Sequence, residues 1–394
     1  MRCGRQCARL LGGPGKRSFV LIVLTALACS ATCGVARAQS KYVFHVSMDG
    51  LRPDAITTLG ASGAPNFYRL RNEGAFTDNA RTDYDYTITL PNHTSQLTGR
   101  SVTDRFGAGS GHRYTDNSDP APGVTLATNA GYYIASAFDV AHDNGLKTGL
   151  YATKTKFSLY DTTYNATNGA SDITGVDNGR DKIDFFVATE TSSTTMMASL
   201  LANMASPATR SNYTFVHFHN PDSAGHSSNW DITEPPTSAY LNAVRSVDGY
   251  LGQLLNLIES NPEMAGKSTI VLTADHGGRL GTTDHGLASS AEDYTIPFYA
   301  WGAGVTHGDL YAMNAGIRQN PGTGRPLYSD LIQPIRNGDI GNLALDLLGL
   351  GAIPGSRINA SQNLVVPEPS TLALAGIGAL GLLAWRARRS TIIR

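Results

Sequence analysis

Beyond residue 38 the sequence contains no cysteine, because all four (Cys3, Cys7, Cys29 and Cys33) lie in the first 38 residues. A chain cut after that segment has no disulfide and no thiolate metal ligand. Carboxylates are missing at both ends. Residues 1–38 hold six basic side chains and no acid, and residues 370–394 hold four arginines and no acid. Taking those ten from 31 bases leaves 21 against all 32 acids, so 39–369 carries −11 while the whole sums to −1. An acidic middle excludes a general nucleic-acid binder, whose phosphate contacts need surplus Lys and Arg. With 16% charged and 41% hydrophobic residues, wholesale disorder and a polytopic membrane protein are also excluded. The middle is long enough to bury a sizeable core.

Neither end reads as fold. A basic stretch, 2–17, precedes the apolar run Phe19–Ala28 and the small-residue site Ala36-Arg37-Ala38. That order predicts a secretory signal peptide over 1–38, removed by a signal peptidase. The last residues read Val366-Pro367-Glu368-Pro369-Ser370-Thr371, then an apolar segment 372–385, then Arg386-Ala387-Arg388-Arg389. This resembles the PEP-CTERM sorting tail of Gram-negative bacteria. The resemblance implies export, transient insertion of 372–385 in the inner membrane, and removal of the tail by an exosortase-type enzyme. The protein then resides in the periplasm, on the cell surface or in the extracellular matrix. Fourteen apolar residues fall short of the ~20 that a stable helical span needs. The domain reading is a leader at 1–38, a catalytic domain at 39–364 and a sorting signal at 365–394.

In the middle, apolar runs of strand length end in turns and alternate with helical patterns. The runs are 42–48, 147–153, 213–218, 268–273 and 294–300. Helical spacing is read over 131–142 and over 238–258, where Leu241, Val244, Val247, Leu251, Leu254, Leu255 and Ile258 recur. This alternation predicts an α/β fold, a largely parallel central sheet with helices on both faces. The Thr-, Asn- and Gly-rich stretch 160–181 is read as an inserted cap or long surface loop.

Ligands of such sheets bind beyond the carboxyl ends of the strands. Asp49, Asp222 and Asp275 each follow an apolar run within a few residues. One such aspartate is usually a turn residue. Three, two of them with histidine partners, point to metal. Asp222 and His226 are four apart and share a face if the stretch is helical. Asp275 and His276 are adjacent, and His285 follows nine residues after His276. Carboxylate and imidazole suit Zn²⁺, with an open position at catalytic sites; manganese or calcium is the alternative. His45, His142, His217 and His307 read only as core or surface histidines.

Four segments carry a more specific resemblance: Ser47-Met48-Asp49-Gly50-Leu51-Arg52-Pro53-Asp54, Thr89-Leu90-Pro91-Asn92-His93, Asp222-Ser223-Ala224-Gly225-His226, and Thr273-Ala274-Asp275-His276-Gly277. Together they resemble the alkaline phosphatase superfamily, type I phosphodiesterase/nucleotide pyrophosphatase branch, over about residues 41–354. The resemblance implies an alkaline-phosphatase-like fold and two divalent metal ions. One would be held by Asp222, His226 and His285, with His307 as the fallback for His285. The other would be held by Asp49, Asp275 and His276, with Thr89 as nucleophile.

A threonine hydroxyl needs a base or a metal to become a nucleophile. The helix opening at Pro91 is expected to aim its N-terminal N–H groups at the phosphoryl oxygens, with Asn92 donating to the same group. Thr87 is the competing nucleophile. The branch also carries a phosphoryl-binding asparagine about twenty residues after the nucleophile, a position that His112 or Asn117 could fill here. Lys154 and Lys156 follow a strand and read either as substrate-binding cations or as solvated surface lysines. No Cys/Ser-x-Pro-x-Arg motif of the formylglycine sulfatases is present.

The function so implied is an exported two-metal phosphohydrolase, acting on phosphodiester or pyrophosphate bonds of a small phosphate ester through a phosphothreonine. The alternatives are an alkaline phosphomonoesterase on the same metal frame, and a non-catalytic matrix protein on a hydrolase fold.

Overall fold

The computed structural model describes residues 39–172, 179–188, 192–233 and 238–366. The leader 1–38, the apolar stretch 372–385 and the basic tail lie outside the described residues. Eight strands form one sheet: β1 (Tyr42–Met48), β2 (Ala75–Arg81), β3 (Thr148–Ala152), β4 (Phe185–Ala188), β5 (Tyr213–Phe218), β6 (Ser268–Thr273), β7 (Thr295–Gly302) and β8 (Gly308–Asp309). Their order is β4-β3-β5-β1-β6-β7-β2-β8. The first five in that order pair in parallel, and β7 runs against both β6 and β2.

β1, β3, β5 and β6 are buried along their whole length, as strands covered on both faces must be. The helices that matter for the site are α1 (Pro53–Gly63), α2 (Pro65–Glu73), α3 (Thr89–Thr98), α4 (Ala137–Asp143), α5 (Ser158–Tyr164), α6 (Ser193–Ala205), α7 (Asn220–Ser228), α8 (Ala239–Ser260) and α9 (Asp339–Leu347). Two groups form. Helices α3, α4 and α9 pack together, with α9 against β1 and β6; α8 packs with α1, α2, α6 and α7. Strand alternation separates them: His45 and Ser47 of β1 reach Gln96 and His93 of α3, while Phe44, Val46 and Met48 point the other way.

The long amphipathic helix forms as its spacing predicts, over Ala239–Ser260, with the Ser238 side chain accepting from the Leu241 N–H. Two expectations need correction. The helix read over 131–142 is shorter: Gly131, at φ +81°, closes a preceding turn, and α4 starts only after Ser136. The stretch read as a cap from Tyr160 begins as α5, whose Tyr160 and Tyr164 are fully buried; residues 173–178 lie outside the described residues. β2 escapes the periodicity because Thr77-Asp78-Asn79 interrupts it at a register irregularity.

Candidate active site

Four neighbouring parallel strands, β3, β5, β1 and β6, deliver their following residues to one end of the sheet. After β1 comes Asp49, after β3 Lys154, after β5 His219 and Asp222, and after β6 Asp275 and His276. Asp222 lies in the first turn of α7, and His226 is one turn later on the same face.

Three carboxylates and one lysine share this space. Lys154 Nζ lies 2.6 Å from Asp49 Oδ2 and 2.6 Å from Asp222 Oδ2. His217 Nε2 sits 3.0 Å from Asp49 Oδ2. Asp275 Oδ1 accepts from the Gly50 and His276 amides at 3.0 and 2.9 Å. Burial pushes the Asp49 and Asp222 carboxyls up, but the Lys154 charge together with the histidine contacts (His217 and His276 on Asp49, His226 and His276 on Asp222) outweighs it, and both end well below the ordinary range. Asp275 goes the other way: burial and the Asp49 charge drive its pKa well above normal. One lysine against three buried carboxylates leaves the site short of positive charge.

The histidines are set up as ligands. His276 Nδ1 donates to Gly277 O at 2.8 Å, His285 Nδ1 to Thr87 O at 2.6 Å, and His226 Nδ1 to Thr283 O at 2.7 Å. Each carbonyl fixes the proton on Nδ1 and leaves Nε2 as a lone pair. Those Nε2 atoms face carboxylates. His226 Nε2 is 3.3 Å and His285 Nε2 3.7 Å from Asp222 Oδ1, and His276 Nε2 is 3.4 Å from Asp49 Oδ1. Burial lowers the His276 pKa to about 3 and lowers that of His285, so both rings are neutral near pH 7.

Asp222, His226 and His285 bring one donor atom each within 4.8 Å of one another, and so do Asp49, Asp222 and His276. Asp275 Oδ2 lies 3.2 Å from His276 Nε2. Asp49 Oδ1, Asp222 Oδ1, Asp275 Oδ2 and His276 Nε2 are buried without a hydrogen-bond partner. Four orphaned acceptors, one of them His276 Nε2, converging with the imidazoles of His226 and His285 fit two divalent cations, and oxygen–nitrogen donor sets of this kind suit zinc. His285 joins this cluster, whereas His307 stacks on Phe76 beside β8.

Trp230, absent from the sequence reading, backs the cluster. Its fully buried indole lies 5.9–6.2 Å from the rings of His226, His276 and His285, and His276 and His285 stack at 3.6 Å. A Cβ on Gly225 or Gly278 would come within 2.3 or 2.1 Å of that indole, so both positions need glycine.

Thr89 opens α3 beside this cluster and is 1% exposed. Of the first-turn donors, the Leu90 N–H goes to Asn117 Oδ1 at 2.9 Å and Pro91 has none, leaving the Thr89 N–H. The helix N-terminus therefore offers fewer amides than its sequence promised. Asn92 is a correction. Its Nδ2 donates to Tyr86 O and Ile88 O, and its Oδ1 accepts from the Asp83 amide and from Asn337 Nδ2. With both donor hydrogens used, Asn92 shapes the loop 83–88 and has none to spare for a phosphoryl group.

Thr87 is also committed, its hydroxyl donating to His285 O at 2.6 Å. His112 is fully buried behind α3, its Nε2 3.1 Å from Ser95 Oγ, and is remote in role from the site. Asn117, held against the start of α3, is the asparagine next to Thr89. Lys156 Nζ donates to Asn117 O at 2.6 Å. Both lysines are thus drawn into the site and are not solvated surface groups.

His217 and His93 went unrecognised as site residues. His217 pairs in register with Ser47 on the neighbouring strand, which aims it at Asp49. His93 links Thr89 O (2.8 Å) to Ser47 Oγ (2.9 Å), tying α3 to β1. The signal for His217 was its place in the penultimate position of a strand ending at the site.

The Type I phosphodiesterase / nucleotide pyrophosphatase family profile matches residues 43–295, and the PEP-CTERM protein-sorting motif matches residues 365–389. No curated protein sequence matches the chain significantly. Among solved structures, an inactive murine ectonucleotide pyrophosphatase/phosphodiesterase 5 in complex with AMP aligns at 14% identity and TM-score 0.53, covering 80% of this chain and 96% of that one. On another structure of the murine protein, the chain spans only 57% of its length. A 2-O GAG sulfatase aligns at 11% identity and TM-score 0.51, over 84% and 76% of the two chains. A Vibrio parahaemolyticus protein of the alkaline phosphatase superfamily aligns at 14% identity and TM-score 0.49, over 82% and 69%. The structural likenesses concern the fold. The family match covers most of the described domain, and the chain belongs to the type I phosphodiesterase/nucleotide pyrophosphatase family.

Proposed function

We propose that this member of the type I phosphodiesterase/nucleotide pyrophosphatase family is an exported two-metal hydrolase that cleaves phosphodiester or pyrophosphate bonds of small molecules. The observation carrying this reading is the convergence of orphaned Asp49, Asp222, Asp275 and His276 atoms with the Nδ1-anchored His226 and His285. Asp222, His226 and His285 would hold one ion; Asp49, Asp275 and His276 the other. Zinc is the ion proposed from the donor set. Two such ions supply Lewis-acid polarisation of phosphoryl oxygens and lower the pKa of a coordinated hydroxyl.

The residues then divide the work. Thr89 Oγ1 attacks phosphorus in line with the leaving oxygen, forming a phosphothreonine as the P–O bond to the leaving group breaks. Water attacks the phosphothreonine, a P–O bond to Thr89 breaks, and the hydroxyl is restored. The Thr89 amide and Asn117 Nδ2 bind phosphoryl oxygen. His217 orients Asp49, and Asn92 and Thr87 position the loops that carry Thr89 and His285.

The catalytic domain is assigned to 39–364, with a cleaved leader at 1–38. The sorting motif implies exosortase-type processing and membrane-associated sorting, and we extend it to retention by the terminal arginines on the cytoplasmic side of a Gram-negative inner membrane. Among the described residues, no helix is long and apolar enough to cross a membrane.

One observation favours a second reading. Lys154 and Lys156 both reach the site, and a phosphomonoester carries an extra charge for them to bind. Relative turnover of bis-p-nitrophenyl phosphate and p-nitrophenyl phosphate by the zinc-loaded protein decides between the two. Preference for the diester supports the first reading, and strong preference for the monoester replaces it with the second.

A further inference from the structure

A cavity of about 180 Å³ opens between the loop 326–334 and the segment 357–363. Arg318 and Asn359 line it and are 9% and 6% exposed. Arg318 spends Nη2 on Asp339 Oδ1 (2.8 Å) and Nη1 on Ile317 O (3.0 Å), but its buried Nε has no partner. Asn359 Nδ2 and Asn363 Oδ1 are likewise buried without partners. Arg357 lines the same cavity and is exposed; its backbone N–H donates to Gly99 O, but its guanidinium makes no hydrogen bond or ion pair to a described residue. Two buried donors, a free guanidinium and one acceptor match a phosphate group bearing a neighbouring hydroxyl.

Apolar side chains surround the mouth. Of the seven large exposed hydrophobics among the described residues, five are here: Phe106, Ile317, Leu327, Leu331 and Ile332, with Leu331 98% exposed. Gln319 N donates to Gln333 O, which places the Ile317 and Ile332 segments side by side, and Phe106 packs on Tyr328.

The chain leaves the described domain at this face. Asn314 clamps Val365 through two hydrogen bonds of 2.8 and 2.9 Å, and Val366 is the last described residue. The apolar run of the sorting tail starts at Leu372, six residues on, a reach of at most ~20 Å. A tail that enters a bilayer therefore holds this face close to the lipid surface.

We propose that this face docks on a bilayer of anionic phospholipid, with the cavity seating one phosphatidylglycerol headgroup and Leu331 with its neighbours entering the interface. Arg318 Nε, Asn359 Nδ2 and Arg357 donate to the phosphate, and Asn363 Oδ1 accepts from the glycerol hydroxyl. The proposal is independent of the catalytic reading.

The full chain, with Cys3, Cys7, Cys29 and Cys33 changed to serine, is labelled with an environment-sensitive fluorophore at Leu331→Cys and reconstituted in vesicles. The control label is at Ala202→Cys, on α6, which packs on β3 and β4 at the opposite edge of the sheet. With phosphatidylglycerol present, the residue-331 label blue-shifts and is quenched by doxyl lipids, and the residue-202 label is not. Phosphatidylcholine alone gives severalfold weaker quenching, and so does Arg357→Gln in phosphatidylglycerol, with phosphate-ester turnover unchanged. No quenching at 331, or equal quenching in both lipids or in Arg357→Gln, overturns the proposal. So does a lipid-independent blue shift that rises with protein concentration, the mark of a second copy covering the face.

Discussion

Thr87 and His285 hold each other by two reciprocal bonds. The Thr87 hydroxyl donates to the His285 carbonyl and the His285 Nδ1–H donates to the Thr87 carbonyl, each at 2.6 Å. The first fixes where the loop after β6 passes, and the second fixes which imidazole nitrogen faces Asp222. A short loop between His276 and His285 can therefore deliver a ligand that spacing alone left uncertain.

Thr87→Val keeps the carbonyl and removes the hydroxyl. Zinc affinity of the variant, measured by competition with a chromophoric chelator, is expected to fall about tenfold, the low end of the effect of disturbing a ligand's outer hydrogen bond, because the loop that holds the His285 ring against the Thr87 carbonyl loses its anchor. The fold stays intact, so the thermal midpoint of the zinc-loaded protein moves only by what weaker binding explains. Unchanged affinity would show that His285 is held by other means.

Lys154 bridges Asp49 and Asp222, and Lys156 is tethered to the Asn117 carbonyl. If these cations serve substrate charge, Lys156→Ala lowers kcat/KM for a monoester by about tenfold, ~1.4 kcal/mol, and for a diester by less. Parallel steady-state assays on the two p-nitrophenyl esters check this. Equal losses on both would make Lys156 a general structural support of Asn117.

Asp139 gives a stability prediction away from the site. Burial raises its pKa to about 6, while Ser136 and Tyr133 hydrogen-bond the carboxylate and oppose the shift. The folded pKa lies above the unfolded value near 4, so the folded state binds the proton more tightly. Between these values the group therefore removes stability as pH rises, on the order of 3 kcal/mol at full effect. Chemical denaturation at pH 4, 5 and 6 should show Asp139→Asn losing less stability with rising pH than wild type. Parallel pH profiles would contradict the assignment.

The strand-ending aspartates were legible because β1, β5 and β6 are continuous apolar runs, and a turn aspartate after each is visible in one dimension. His226 was legible through its four-residue spacing from Asp222, and His276 through adjacency to Asp275. His217 and Trp230 were not, since their roles come from strand register and from packing between distant segments. Asn92 misled because three residues after Thr89 is the same helix face; only the tertiary path of loop 83–88 shows its amide turned backward. Asn117 and His112 could not be told apart because 99–125 is irregular and has no period to orient a side chain.

Thr89 is the residue on which the chemistry turns. The direct measurement is hydrolysis of bis-p-nitrophenyl phosphate by zinc-loaded wild type and Thr89→Ala, with zinc content determined on the same samples. The account predicts two zinc ions per chain in wild type, most of that zinc kept in the variant, and turnover reduced by roughly a thousandfold or more. Undiminished turnover in Thr89→Ala, or full wild-type activity without bound metal, would contradict it.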